Sequence, residues 1–123
     1  MSHSEDIITT ESARTLDGLF KARIQRSPNK MAYRQFNKSS ALWEDFSWQE
    51  VGEKVARWQK ALSKTQLQAG DRVALLLRNG VDWVVAEQAA MGMGLVIVPL
   101  YCDDRPDNIA FILNDSATQM LVA

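Results

Sequence analysis

Two runs in this chain, residues 73–77 and 95–100, are apolar almost without interruption, and they flank a segment of the length a crossover helix needs. Strands buried on both faces read as continuous apolar runs, the habit of parallel sheets. The pattern predicts a βαβ unit over residues 70–101. Asn79 or Gly80 is expected to open its helix, with Asn79 favoured as the N-cap. Trp83, Val84, Ala86, Glu87 and Ala90 continue the helix, and Gly92 and Gly94 are expected to end it. Asp104-Arg105-Pro106 reads as the start of another helix, because proline suits the first helical position. Ile109, Ile112 and Leu113 form its inner face, Asn114-Asp115-Ser116 breaks it, and residues 119–123 begin a third strand. The whole predicts an α/β fold with a parallel βαβαβ layer, doubly wound through right-handed crossovers.

Upstream of that layer the periodicity changes. Thr15 can cap a first helix whose Leu16, Leu19, Phe20 and Ile24 share one face, with Pro28 closing it. Residues 31–36 and 42–46 are short aromatic-rich strands, and the polar run Asn37-Lys38-Ser39-Ser40 makes them a hairpin. Ser47-Trp48-Gln49-Glu50 has the form of a capping box. Behind it Val51, Val55, Trp58 and Leu62 fall at helical spacing, a buried stripe with charged residues opposite. Residues 1–14 show neither period and read as a polar, unstructured tail. Residues 120–123 are apolar with no turn or polar tail after them, so the chain is expected to be the first part of something longer.

Composition narrows the chemistry more than the fold. A chain of 123 residues, 46% hydrophobic and 24% charged, can bury roughly two thirds of its unfolded surface as one domain or part of one. With a net charge of −1 and both signs interspersed, it has no basic patch for nucleic acid. No apolar run approaches the roughly 18 residues of a membrane span, and the first fourteen residues lack the basic-then-apolar pattern of a secretory signal. A cytoplasmic location is expected. The single cysteine, Cys102, excludes an internal disulfide, and the single histidine, His3, lies in the tail. Catalytic triads, Cys-His dyads and histidine-based metal sites are therefore not expected, and no metal ligand is assigned.

Other candidate motifs mostly resolve into structural roles. Gly92-Met93-Gly94 follows a helix and precedes a strand, the reverse of the order a dinucleotide fingerprint needs, so capping and close packing explain it. No P-loop motif occurs. Asp103 and Asp104 follow the second strand, but no lysine lies beyond Lys64 to complete a receiver-type acidic pocket, and they read as helix-start carboxylates. Trp58 and Trp83 are expected in the core. Arg78, Asn79 and Cys102 stand at the carboxyl ends of the strands, where open α/β sheets bind ligands.

Gly70-Asp71-Arg72-Val73-Ala74-Leu75, Asn79 followed by Trp83, Gly94, and Val98-Pro99-Leu100-Tyr101 together resemble the amino-terminal region of the AMP-forming acyl-CoA synthetases, and more narrowly the long-chain fatty acid–CoA ligases. The resemblance runs from Leu16 onward, taking in Phe46-Ser47-Trp48-Gln49-Glu50-Val51 and the segment from Ile109 to Ser116 in family order. It implies that residues 15–123 are the first part of the large adenylation domain, cut short at the C-terminal end. It implies a parent enzyme using ATP and Mg2+ to turn a fatty acid into an acyl adenylate, from which CoA displaces AMP. The family's phosphate-binding loop, Thr-Glu pair, ribose-binding aspartate and C-terminal lysine would all follow Ala123, so no catalytic residue is assigned here and the chain alone is expected to be inactive, with no cofactor bound. In acetyl-CoA members the loop after the second strand approaches the nucleotide end of CoA, which by resemblance places Tyr101 and Cys102 there. Where the family has aromatic–glycine–glycine, this chain has Tyr101-Cys102-Asp103. A parent that stops at the acyl adenylate and a free-standing non-catalytic α/β module are the alternatives. A fatty acid partner, a peripheral place at the membrane and self-association through exposed strand edges or through the apolar faces of residues 73–77 and 95–100 complete the expectations.

Overall fold

The computed structural model describes residues 6–123, so the part of the expected tail that holds His3 lies outside the described residues. The chain forms two compact units, Met1–Glu53 and Lys54–Ala123.

In the first unit a short helix, α1 (Thr10–Ala13), precedes α2 (Leu16–Arg26). Residues 6–14, expected as tail, are tied down by the arginines of α2. Arg23 donates to the Asp6 carboxylate at 2.8 Å and, through its other terminal nitrogen, to the Asp6 carbonyl at 2.8 Å; Arg26 donates to the Ile7 carbonyl. A segment without hydrophobic period can still be ordered by such charge-assisted bonds. Thr15 caps α2 as expected, its hydroxyl accepting the Gly18 N–H at 2.9 Å. The predicted α2 stripe is narrower than its spacing implied: Phe20 is buried, whereas Leu16 and Leu19 are exposed and line a shallow recess with Ile8 and Ala13.

The hairpin forms from β1 (Met31–Asn37) and β2 (Leu42–Ser47). Phe36 faces Trp43 and Arg34 faces Asp45 across it. Its turn is set by the Asn37 side chain, whose oxygen accepts the N–H groups of Ser39 and Ser40, the Asx geometry that suits this residue. Trp48 then gathers the unit's aromatic core, meeting Phe20 edge-on at 6.3 Å and Tyr33 at 5.8 Å between ring centres. Ser47 provides its half of the capping box by accepting the Glu50 N–H, and α3 (Trp48–Leu62) begins.

In the second unit three strands, β3 (Arg72–Leu75), β4 (Val96–Pro99) and β5 (Met120–Val122), form a parallel sheet in the order β4-β3-β5. Helices α4 (Val81–Gly92) and α5 (Pro106–Asp115) connect them. The first crossover runs from the central strand β3 to β4 and the second runs back from β4 past β3 to β5, so the two move in opposite directions and right-handedness assigns α4 and α5 to opposite faces. The doubly wound layer is thus realised. Val73, Ala74 and Leu75 are at most 1% exposed. Residues 73–75 thus offer neither an uncovered apolar face nor a free edge, since they are buried and β3 has a strand on each side, whereas Leu76 and Leu77 are half-exposed. The second apolar run does reach the surface at Val96, on the edge strand β4, while Leu95 and Leu100 are buried. Pro99 fits that edge. Val96 and Leu100 donate to β3, so the odd-numbered position 99 turns its missing donor outward.

Three details of capping and burial depart from expectation. The N-cap of α4 is Gly80, not Asn79, and it offers no side-chain cap. Gly92 remains within α4, and of the two glycines only Gly94 takes a positive φ. Val55 and Leu62 are buried, but Trp58 is half-exposed, because the stripe on α3 is wider than the surface that covers it.

Candidate functional site

The carboxyl ends of β3 and β4 bound a cavity of about 570 Å³. Leu77, Arg78 and Asn79 reach it from the end of β3, and Pro99, Leu100, Tyr101, Cys102 and Asp103 from the end of β4. Trp83 enters from the first turn of α4. Parallel strands put these segments side by side: Leu75 pairs with Pro99, so the residues that follow each strand emerge at the same level. The buried Leu100 anchors the second segment by donating its N–H to the Leu75 carbonyl at 2.9 Å.

The sequence-assigned candidates meet here. Tyr101 is exposed and Cys102 half-buried, and both line the cavity with Arg78 and Asn79. Asn79 is available for this because Gly80 takes the capping position. Trp83, expected in the core, is half-exposed and forms part of the wall. Helical spacing could not distinguish the two, since an indole facing a cavity and one facing the core occupy the same stripe. Of the two expected helix-start carboxylates, only Asp104 takes that place, its side chain accepting from the Arg105 N–H at 2.8 Å and the Asn108 amide at 3.0 Å. Asp103 turns to Arg78, with 3.7 Å between their charged atoms.

The chemistry available is that of a binding surface. Two aromatic rings can receive a flat apolar group, the Asn79 amide can both donate and accept, and Arg78 supplies one cation. Cys102 has no histidine near it in the sequence, and no cluster of three or more metal-ligating side chains occurs among the described residues.

Comparison with known proteins agrees with this architecture. The sequence pattern of the AMP-binding enzyme family matches residues 20–123. Malpibaldin synthetase of Mortierella alpina is 29% identical over 109 residues, 89% of this chain and 2% of that protein. The long-chain-fatty-acid–CoA ligase FadD15 of Mycobacterium bovis is 27% identical over 82 residues, 67% of this chain and 14% of the ligase. The solved structure of the Mycobacterium tuberculosis fatty acyl CoA synthetase superposes with a TM-score of 0.75 at 26% identity, covering 85% of this chain and 20% of that one. The chain therefore spans a small share of the relatives it matches. With a family pattern continuous from Phe20 to Ala123 and the same α/β layer in three dimensions, the chain belongs to the AMP-binding, adenylate-forming enzyme family.

Proposed function

We propose that this chain is the opening portion of a long-chain fatty acid–CoA ligase. The parent would use ATP and Mg2+ to form an acyl adenylate, and CoA would then displace AMP. The single observation that carries the reading is the family match over residues 20–123, with fatty acid–CoA ligases among the relatives. The β3–β4 cavity would lie beside the nucleotide end of CoA, with Tyr101 and Cys102 as its contacts and Trp83 as a further wall. The activation step needs donors that hold phosphate charge while a carboxylate attacks an anion, and that role belongs to segments other than these.

The test is direct. This chain incubated with ATP, Mg2+, palmitate and CoA should release no pyrophosphate above buffer, whereas the parent should release it and form palmitoyl-CoA. Release by the chain alone would refute the assignment of roles. A parent that accumulates acyl adenylate with CoA present would favour the alternative, an acyl-AMP ligase. A cytoplasmic location, with the parent peripheral at the membrane that holds its substrate, belongs to the same proposal. So does pairing of the chain with a second copy, now confined mainly to the outer edge of β5, since Pro99 blunts that of β4. Light scattering that shows a monomer at high concentration would remove this last element.

A further inference from the structure

The charged side chains lining the β3–β4 cavity are Arg78 and Asp103, and they face each other at 3.7 Å. Asp82 in the first turn of α4 and Asp104 after β4 add two more carboxylates nearby in the chain, and Arg105 one further cation. Over residues 78–83 and 99–105, two cations thus stand against three carboxylates. Of these, Asp104 is engaged by the Arg105 N–H and by Asn108 and Asp82 does not line the cavity, so Asp103 is the carboxylate set against the cavity's own cation. A ligand bearing phosphates needs that guanidinium, and Asp103 competes for it while repelling the ligand. A flat neutral ring, resting on Trp83 and Tyr101, needs neither.

We propose that Asp103 is a specificity-determining residue: held against Arg78 at the ends of β3 and β4, it weakens the cavity's preference for polyanionic over neutral ligands of the same shape. The inference rests on the reading that this cavity takes the nucleotide end of CoA. Asp103 tunes affinity without blocking the cavity. Both side chains are largely exposed, at 80% and 62%, so the pair is held weakly and a phosphate can displace the carboxylate. One unit charge about 5 Å from a phosphate in a water-like medium changes affinity by about three- to fivefold, and salt screens it.

The test uses two probes that differ in charge, adenosine and adenosine 3′,5′-bisphosphate. Each is titrated into the 123-residue chain and followed through the Trp83 indole N–H resonance. The ratio of the two affinities should shift toward the bisphosphate by about three- to fivefold in Asp103→Asn at low salt and shift away from it in Arg78→Gln. The shift should shrink to under about twofold in ~0.5 M NaCl, where the Debye length falls below about 5 Å. Bisphosphate binding with the same ratio in wild type and Asp103→Asn would overturn the role of Asp103 and leave the cavity reading intact. Binding of neither probe, by wild type or variant, would overturn both.

Discussion

Gly94 stands directly against Ala69: a Cβ built on Gly94 would lie 3.2 Å from the Ala69 Cβ, and the backbone there has φ +75°. The two residues close the turn between α4 and β4 against the entry to β3, where the Gly70 N–H donates to the Gly94 carbonyl at 2.8 Å. Position 94 thus carries two separate demands, a left-handed backbone and a close approach. Gly94→Ala should cost about 1–2 kcal/mol in urea unfolding. Gly70 has φ +92° but open space around it, so Gly70→Ala should cost only the backbone part. Ala69→Gly placed beside Gly94→Ala should recover the difference, and equal costs for both glycines would refute the close-contact account.

Ala41 ends the hairpin turn with φ +56°, a conformation that disfavours a Cβ. Ala41→Gly should raise stability by about 0.5 kcal/mol, the relief of strain outweighing the added freedom of the unfolded chain. Thermal unfolding of the two proteins side by side measures this. A lower midpoint in the variant would show that the turn is set by Asn37 alone.

Burial pushes the Glu87 carboxyl above its ordinary value of 4.5, while the Asp6 carboxyl is lowered from 3.8, chiefly by the hydrogen bond from Arg23. The signs are opposite. Folded Glu87 holds its proton more tightly than the unfolded chain does, so its contribution is full below 4.5 and is lost as pH rises through the raised value. Folded Asp6 releases its proton more readily, so its contribution is present above 3.8 and is lost as pH falls through the lowered value. Urea midpoints measured across this range should show Glu87→Gln removing the loss on the alkaline side and Asp6→Asn removing the loss on the acid side. Parallel profiles for wild type and Glu87→Gln would contradict the assignment.

Leu75, with 0% exposure on the central strand, should be the costly residue of the sheet. Leu75→Ala is expected to lose about 3 kcal/mol through the cavity it leaves. Leu121→Ala, on edge strand β5 and 45% exposed, should lose under ~1 kcal/mol. Similar losses in chemical denaturation would mean that β3 is not the central strand in solution.

The hydrophobic runs, the helical periods and the turn chemistry of Thr15, Asn37, Ser47 and Pro106 act within a few residues of themselves, and they set the elements, though not which residues of the α2 and α3 stripes are buried. They determined the α/β class, the succession of elements and, through spaced motifs, the family. Strand order is different in kind. Nothing local to residues 73–75 says that β5 returns to their far side, and that return makes β3 the central strand. The same holds for Arg23 reaching Asp6 across 17 residues, and for Trp83, whose helical position suits core and cavity equally. The cavity exists because two parallel strands end at the same level and bring residues 77–79 beside residues 99–103. Only tertiary structure could pair Arg78 with Asp103, since contacts between distant segments depend on which strands become neighbours.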